Sequence, residues 1–127
     1  MKTLLFTLIF ATLTFTGSKA DSGKPFSNIY TISTSTFNFF HVHRQGNGTA
    51  LYWTVSTSDV SSFEIERSYD GEYYENVGTK SAENATMFRF RDANVFPGYI
   101  YYRIKANLND GGVEFSPVEV VRIVRRK

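Results

Sequence analysis

Phe63-Glu64-Ile65-Glu66-Arg67-Ser68-Tyr69-Asp70-Gly71 is the stretch on which the fold turns. Phe63 and Ile65 alternate with Glu64 and Glu66, the period-2 pattern of a strand with one face buried. Asp70-Gly71 then supplies a pair that tolerates positive φ, which predicts a type I′ hairpin turn. A second stretch answers it. Tyr101-Tyr102-Arg103-Ile104-Lys105-Ala106 alternates in the same way and closes with Asn109-Asp110-Gly111-Gly112.

Working outward from these two, the same signal recurs along the chain. Residues 37–44 are aromatic and β-favouring, and Gly46-Asn47-Gly48 ends them with turn chemistry. Over 50–55, Leu51, Trp53 and Val55 point one way while Tyr52 and Thr54 point the other. After Asp70-Gly71 a short strand is expected over 73–77, then a loop over 79–85. Phe88 and Phe90 alternate with Arg89 and Arg91 in a strand over 87–92. Pro97-Gly98 leads into a strand over 99–106. The last strand spans 113–123, and Pro117 inside it predicts an edge position or a bulge. No helical periodicity runs through residues 21–127. Seven short strands with turn signals every 8 to 12 residues describe an all-β fold, a single antiparallel β-sandwich.

The two ends of the chain read differently. Lys2, the apolar run 4–15 and Ser18-Lys19-Ala20 have the plan of a cleaved export signal over 1–20. That run is too short to span a bilayer, so no membrane insertion is expected after cleavage. Residues 21–36 read as a Ser/Thr-rich flexible lead and 124–127 as a basic tail. The chain carries 14 basic and 12 acidic residues. Cleavage would remove Lys2 and Lys19 and bring the two into balance. A general nucleic-acid footprint is then excluded, despite Arg122, Arg125, Arg126 and Lys127 near the end. There is no cysteine, so an exported domain must rely on its core rather than on disulfides. The address is periplasmic, cell-surface or extracellular.

Leu51-Tyr52-Trp53, then Phe63 to Ser68 with Asp70-Gly71, then Tyr101 to Lys105 with Asp110-Gly111, stand in the order and spacing of a known family. They resemble the fibronectin type III-like domains of secreted and surface proteins of gliding-type Gram-negative bacteria. The resemblance covers 37–123. It implies an immunoglobulin-like sandwich in which the third strand pairs with the sixth, and it brings no catalytic residues. Such domains commonly precede a C-terminal sorting domain, where this chain shows only its basic tail. Ile100 occupies the usual tyrosine-corner position, which leaves Tyr99 or Tyr102 to make that contact.

Under this fold the expected core is Leu51, Trp53, Val55, Phe63, Ile65, Tyr74, Val77, Phe88, Phe90, Ile100, Tyr102, Ile104 and Val118 or Val120. Glu64 and Glu66, about 6.6 Å apart along a strand, are within reach of a glycosidase carboxylate pair. Opposition to Arg103 and Lys105 explains them without chemistry, as a surface charge ladder. His41 and His43 would share a strand face, yet a metal site needs at least one further ligand, and no cysteine or third histidine exists. No phosphate loop or nucleophile motif is present. No catalytic residue, metal or cofactor is therefore expected. Tyr73, Tyr101 and Arg103 are the candidate binding residues, because Tyr and Arg favour interfaces and tyrosines stack on sugars. The leading expectation is a secreted, non-enzymatic binding module whose partner is an exported protein or cell-surface polysaccharide. A structural spacer or remnant of a larger surface protein is the alternative, and an enzyme a distant third.

Overall fold

The computed structural model describes residues 35–125; the expected export signal over 1–20, residues 21–34 of the expected lead and 126–127 of the expected tail lie outside them. Eight strand segments follow one another: β1 (Phe37–Gln45), β2 (Gly48–Val55), β3 (Val60–Ser68), β4 (Glu75–Ser81), β5 (Met87–Asp92), β6 (Gly98–Leu108), β7 (Val113–Phe115) and β8 (Glu119–Ile123). They form two antiparallel sheets. One has the order β1-β2-β5, and the other β4-β3-β6-β7, with β8 also pairing β6.

The sheets meet through the alternate positions that the apolar pattern marks. Leu51, Trp53 and Val55 of β2 face Phe63 and Ile65 of β3, and all are buried. Phe63 sits at the centre, its ring centroid 5.5 Å from Trp53 and 4.6 Å from Phe88. This interdigitation of two inner faces is what makes the arrangement a β-sandwich. Trp53 is fully enclosed, and its indole Nε1 has no hydrogen-bond partner among the described residues.

β3 and β6 lie side by side. Glu64 pairs with Lys105, Ile65 with Ile104 and Glu66 with Arg103. Inward positions of both strands are apolar until Arg67, where the core ends in a polar network. Thr49 Oγ1 donates to the Tyr102 hydroxyl (2.8 Å), which donates to Asp92 Oδ2 (2.9 Å). Arg67 closes the chain of bonds on the same carboxylate oxygen (2.8 Å). Burial foremost, reinforced by the Asp92 charge, raises the Tyr102 pKa far above that of an ordinary phenol, so it stays a donor. Of the two tyrosines, Tyr102 is the buried one, and its hydroxyl bonds side chains of the other sheet. Tyr99 is exposed.

Several local expectations are corrected. The Asp70-Gly71 turn is not type I′, because only Gly71 has positive φ. The connection instead runs over 69–74, organised by Ser68 Oγ, which accepts from the Asp70 and Gly71 amides, and by Asp70 Oδ1, which accepts from the Glu72 and Tyr73 amides. The fourth strand therefore begins at Glu75 rather than at residue 73, and it uses residues 79–81, which read as loop. Tyr74 is half-buried on the outer surface, not in the core. Gly78 of this strand packs so close to the Phe90 ring that a Cβ there would overlap it.

The last strand is broken at Pro117 into β7 and β8, both on the same side of β6. Ser116 bridges the break: its amide donates to the Ile104 carbonyl and its Oγ accepts from the Ile104 amide, each at 2.8 Å. The break resets the alternation. Val118 and Val120, one of which was expected inside, are each 47% exposed, while Ile123 is buried and Val121 packs on the core. Just ahead of β1, Thr36 is buried and bonds Glu114 through both its amide and its hydroxyl.

Candidate functional site

The outer face of the β4-β3-β6-β7 sheet carries the residues singled out for binding and for catalysis. Glu64 and Glu66 are both committed. Glu64 bonds Lys105 Nζ at 2.8 Å and accepts from Asn107 and Asn76, and Glu66 accepts from Arg103 Nε at 2.5 Å. The Lys105 ammonium first, then the Asn107 amide, hold the Glu64 carboxyl below its ordinary pKa. A glycosidase acid needs the opposite shift. Arg103 is also spent: its guanidinium lies 4.0 Å from the Tyr74 ring centroid and 4.4 Å from that of Phe115. Two stacked rings and a carboxylate leave it little to offer a ligand.

The three expected binding residues are thus not brought together as one site. Tyr101 and Arg103 are outward neighbours two apart on β6, and Tyr101 lies half-buried against the β3–β4 connection, its ring 3.4 Å from where a side chain at Gly71 would begin. Tyr73 stands in that connection with 80% of its surface exposed. Arg103 pairs with Tyr74 rather than with Tyr73.

The outer face of the β1-β2-β5 sheet is built otherwise. Phe39, His41 and His43 are alternate residues of β1 and point outward, with ring centroids 6.2 and 6.1 Å apart in succession. Tyr52 of β2 lies across from them, and its ring is stacked on His43 at 5.3 Å with only 6° between planes. The register comes from the turn. Gly46 and Asn47 form a two-residue loop in which Gly46 alone has positive φ (60°), the type II′ pattern, so Gln45 pairs with Gly48 and His41 with Tyr52. Ala50, between His43 and Arg91 in the register, leaves room for the flanking side chains to close over it.

These rings, with Thr54 and Met87, line a hollow of about 310 Å³ whose walls are almost wholly apolar. Phe39 is 52% and Met87 69% exposed. Arg89 pairs with Tyr52 and Arg91 with Ala50 across β2–β5, and both are exposed. Larger hollows at one end of the sandwich are lined mainly by short polar residues such as Ser56, Thr57 and Asn109, with Glu83 beside one and Asp59 and Asp110 beside the other. No cluster of three metal-ligating residues exists among the described residues. The alternation of β1 exposes His41 and His43 to sequence reading. Their conjunction with Tyr52 needed the two-residue turn to be used as a register rule.

No family model matches the chain, and no curated protein does. Solved structures do. Pectate lyase Pel3 from Pectobacterium carotovorum is similar at a TM-score of 0.56 and 17% identity, over 70% of this chain and 27% of the lyase. Pectate lyase PelI from Erwinia chrysanthemi, solved in complex with tetragalacturonic acid, is similar at 0.55 and 18%, over 64% of this chain and 27% of the lyase. The chain thus spans about a quarter of each lyase, and likeness at such identity concerns the fold.

Proposed function

We propose that this chain is an exported, non-catalytic β-sandwich module of fibronectin type III-like type, which binds extended polysaccharide on the outer face of β1-β2-β5. The observation that carries the proposal is the row of Phe39, His41, His43 and Tyr52 rings over an open apolar hollow. Rings repeating along a rigid sheet beside an apolar hollow offer the C–H faces of successive sugars apolar surface with little ordering cost. The face-to-face order β1-β2-β5 against β4-β3-β6-β7 supports the fibronectin type III-like assignment. The apolar run and the small residues before Ala20 support export, and no helix among the described residues is long and apolar enough to cross a membrane.

A non-catalytic role is supported by the engagement of Glu64 and Glu66 in ion pairs and by the lowered Glu64 pKa. The similar lyases, one solved with an oligosaccharide, make carbohydrate a natural first class of ligand to test. A structural spacer is the competing role, and it predicts no ligand. Retention on a glycan array checks the proposal. The parent should bind at least one glycan, and His43→Ala with Tyr52→Ala should lose it while keeping a folded thermal transition. A folded parent that retains no glycan would favour the spacer.

A further inference from the structure

We infer that the glycan taken by this face is acidic, a linear polysaccharide carrying carboxylates on its sugar rings. This rests on the β1-β2-β5 face being the binding surface, and adds the ligand's charge. None of the outward positions of the three strands is acidic: they are Phe39, His41, His43 and Gln45, then Ala50, Tyr52 and Thr54, then Met87, Arg89 and Arg91. Arg89 and Arg91 project from β5 beside the ring platform, both exposed, and neither has a carboxylate partner among the described residues. Arg67, Arg103 and Lys105 on β3 and β6 are each paired with a carboxylate, whereas Arg89 and Arg91, like Arg44, Lys80 and Arg122, are in no such pair among the described residues. What sets Arg89 and Arg91 apart is their place: two exposed guanidinium groups beside an apolar aromatic hollow, on a face with no acidic outward position.

Their placement fits a uronate chain better than other anions. Residues two apart on a strand repeat at about 6.6 Å, so the arginines run parallel to the aromatic row, whose rings repeat at 6.1–6.2 Å. A chain lying along β1 and β2 would rest its sugar faces on the rings and turn its carboxylates toward β5. A guanidinium fork meets a carboxylate with two parallel hydrogen bonds. An acidic peptide would bring backbone amides and carbonyls to a surface whose own backbone groups are consumed in the sheet ladders, and the hollow's nearly apolar walls give them nothing. Sugars can turn C–H faces to that wall and hydroxyls to water.

The test uses the exported chain, titrated calorimetrically with a galacturonate hexamer, with its fully methyl-esterified counterpart, and with poly-glutamate as competitor. The free acid should bind about tenfold or more tighter than the ester. Arg89→Gln with Arg91→Gln should remove that advantage, leave ester binding unchanged and keep the thermal midpoint, since both side chains are exposed. Raising salt from 0.1 to 1 M should shrink the advantage in the parent, as screening shortens the reach of the charges. Equal affinity for acid and ester would overturn the acidic assignment and leave the platform standing. Binding of neither by folded protein would remove both. Displacement of the hexamer by poly-glutamate at equal charge would overturn the sugar assignment in favour of an acidic protein surface.

Discussion

The two outer faces of this sandwich are made from similar materials and used in opposite ways. On the β3-β6 side, glutamate faces lysine and arginine in register, and Arg103 is clamped between the Tyr74 and Phe115 rings. On the β1-β2-β5 side, rings stack on rings, and the two arginines stand beside them with no carboxylate partner among the described residues. The first face completes its interactions internally; the second leaves aromatic surface and positive charge facing water. The difference teaches that residue type alone does not mark a binding surface. Tyr and Arg occur on both faces, and what separates them is whether the partners are already supplied by the fold.

The contrast can be broken most severely at the layer between the faces. Trp53→Ala should cost about 3–5 kcal/mol and collapse both surfaces together, seen as loss of the cooperative transition in chemical denaturation. Next comes Arg103→Ala, which leaves Glu66 unpaired and two rings without their cation. It should destabilise by about 1–2 kcal/mol and leave ligand binding intact. Loss of binding with unchanged stability would mean the two faces had been assigned the wrong way round.

A gentler probe is acid. The Glu64 carboxyl has its folded pKa below the ordinary 4.5, through Lys105 and then Asn107. Its ionised form therefore contributes stability above about pH 4.5, and the contribution fades as pH falls through the folded value. Glu64→Gln should flatten that acid limb in thermal melts recorded from pH 6 to pH 2. Smallest of all, Tyr73→Ala should move the unfolding free energy by less than about 0.5 kcal/mol, since that ring is 80% exposed. A larger loss by the same melting assay would show that the β3–β4 connection leans on it.

Much of the architecture was legible because period-2 alternation with opposite chemistry on the two sides is hard to misread. Phe63 and Ile65 against Glu64 and Glu66 point to a half-buried strand, and β6 repeats the pattern. Other elements depended on information that no short window holds. β4 has a poor strand sequence, Glu75-Asn76-Val77-Gly78-Thr79-Lys80-Ser81, and exists because β3 offers it an edge to pair with and Phe90 needs a residue without a Cβ at Gly78. The aromatic Tyr73-Tyr74 drew the strand boundary forward, against the Asp70 side chain that actually bends the chain there. Val118 and Val120 were misassigned because alternation was continued through Pro117, where the phase is lost. The proposed binding face was the least visible part. His41 and His43 read as a pair on one strand, and their value as a platform depends on Tyr52 from the next strand and the arginines from a third.

The interruption at Ser116 and Pro117 has a consequence beyond register. A domain without a single cysteine has no disulfide to hold it shut, and at high concentration its worst neighbour is another copy of itself. A long outer strand would invite that copy to extend the sheet, and the extension could repeat into a fibre. Here the outermost strand comes in pieces of three and five residues, and the proline between them has no amide to donate. Neither piece gives an incoming chain a continuous template. The edge beside β6 is thus guarded by shortness, at the cost of one main-chain bond that the Ser116 hydroxyl replaces.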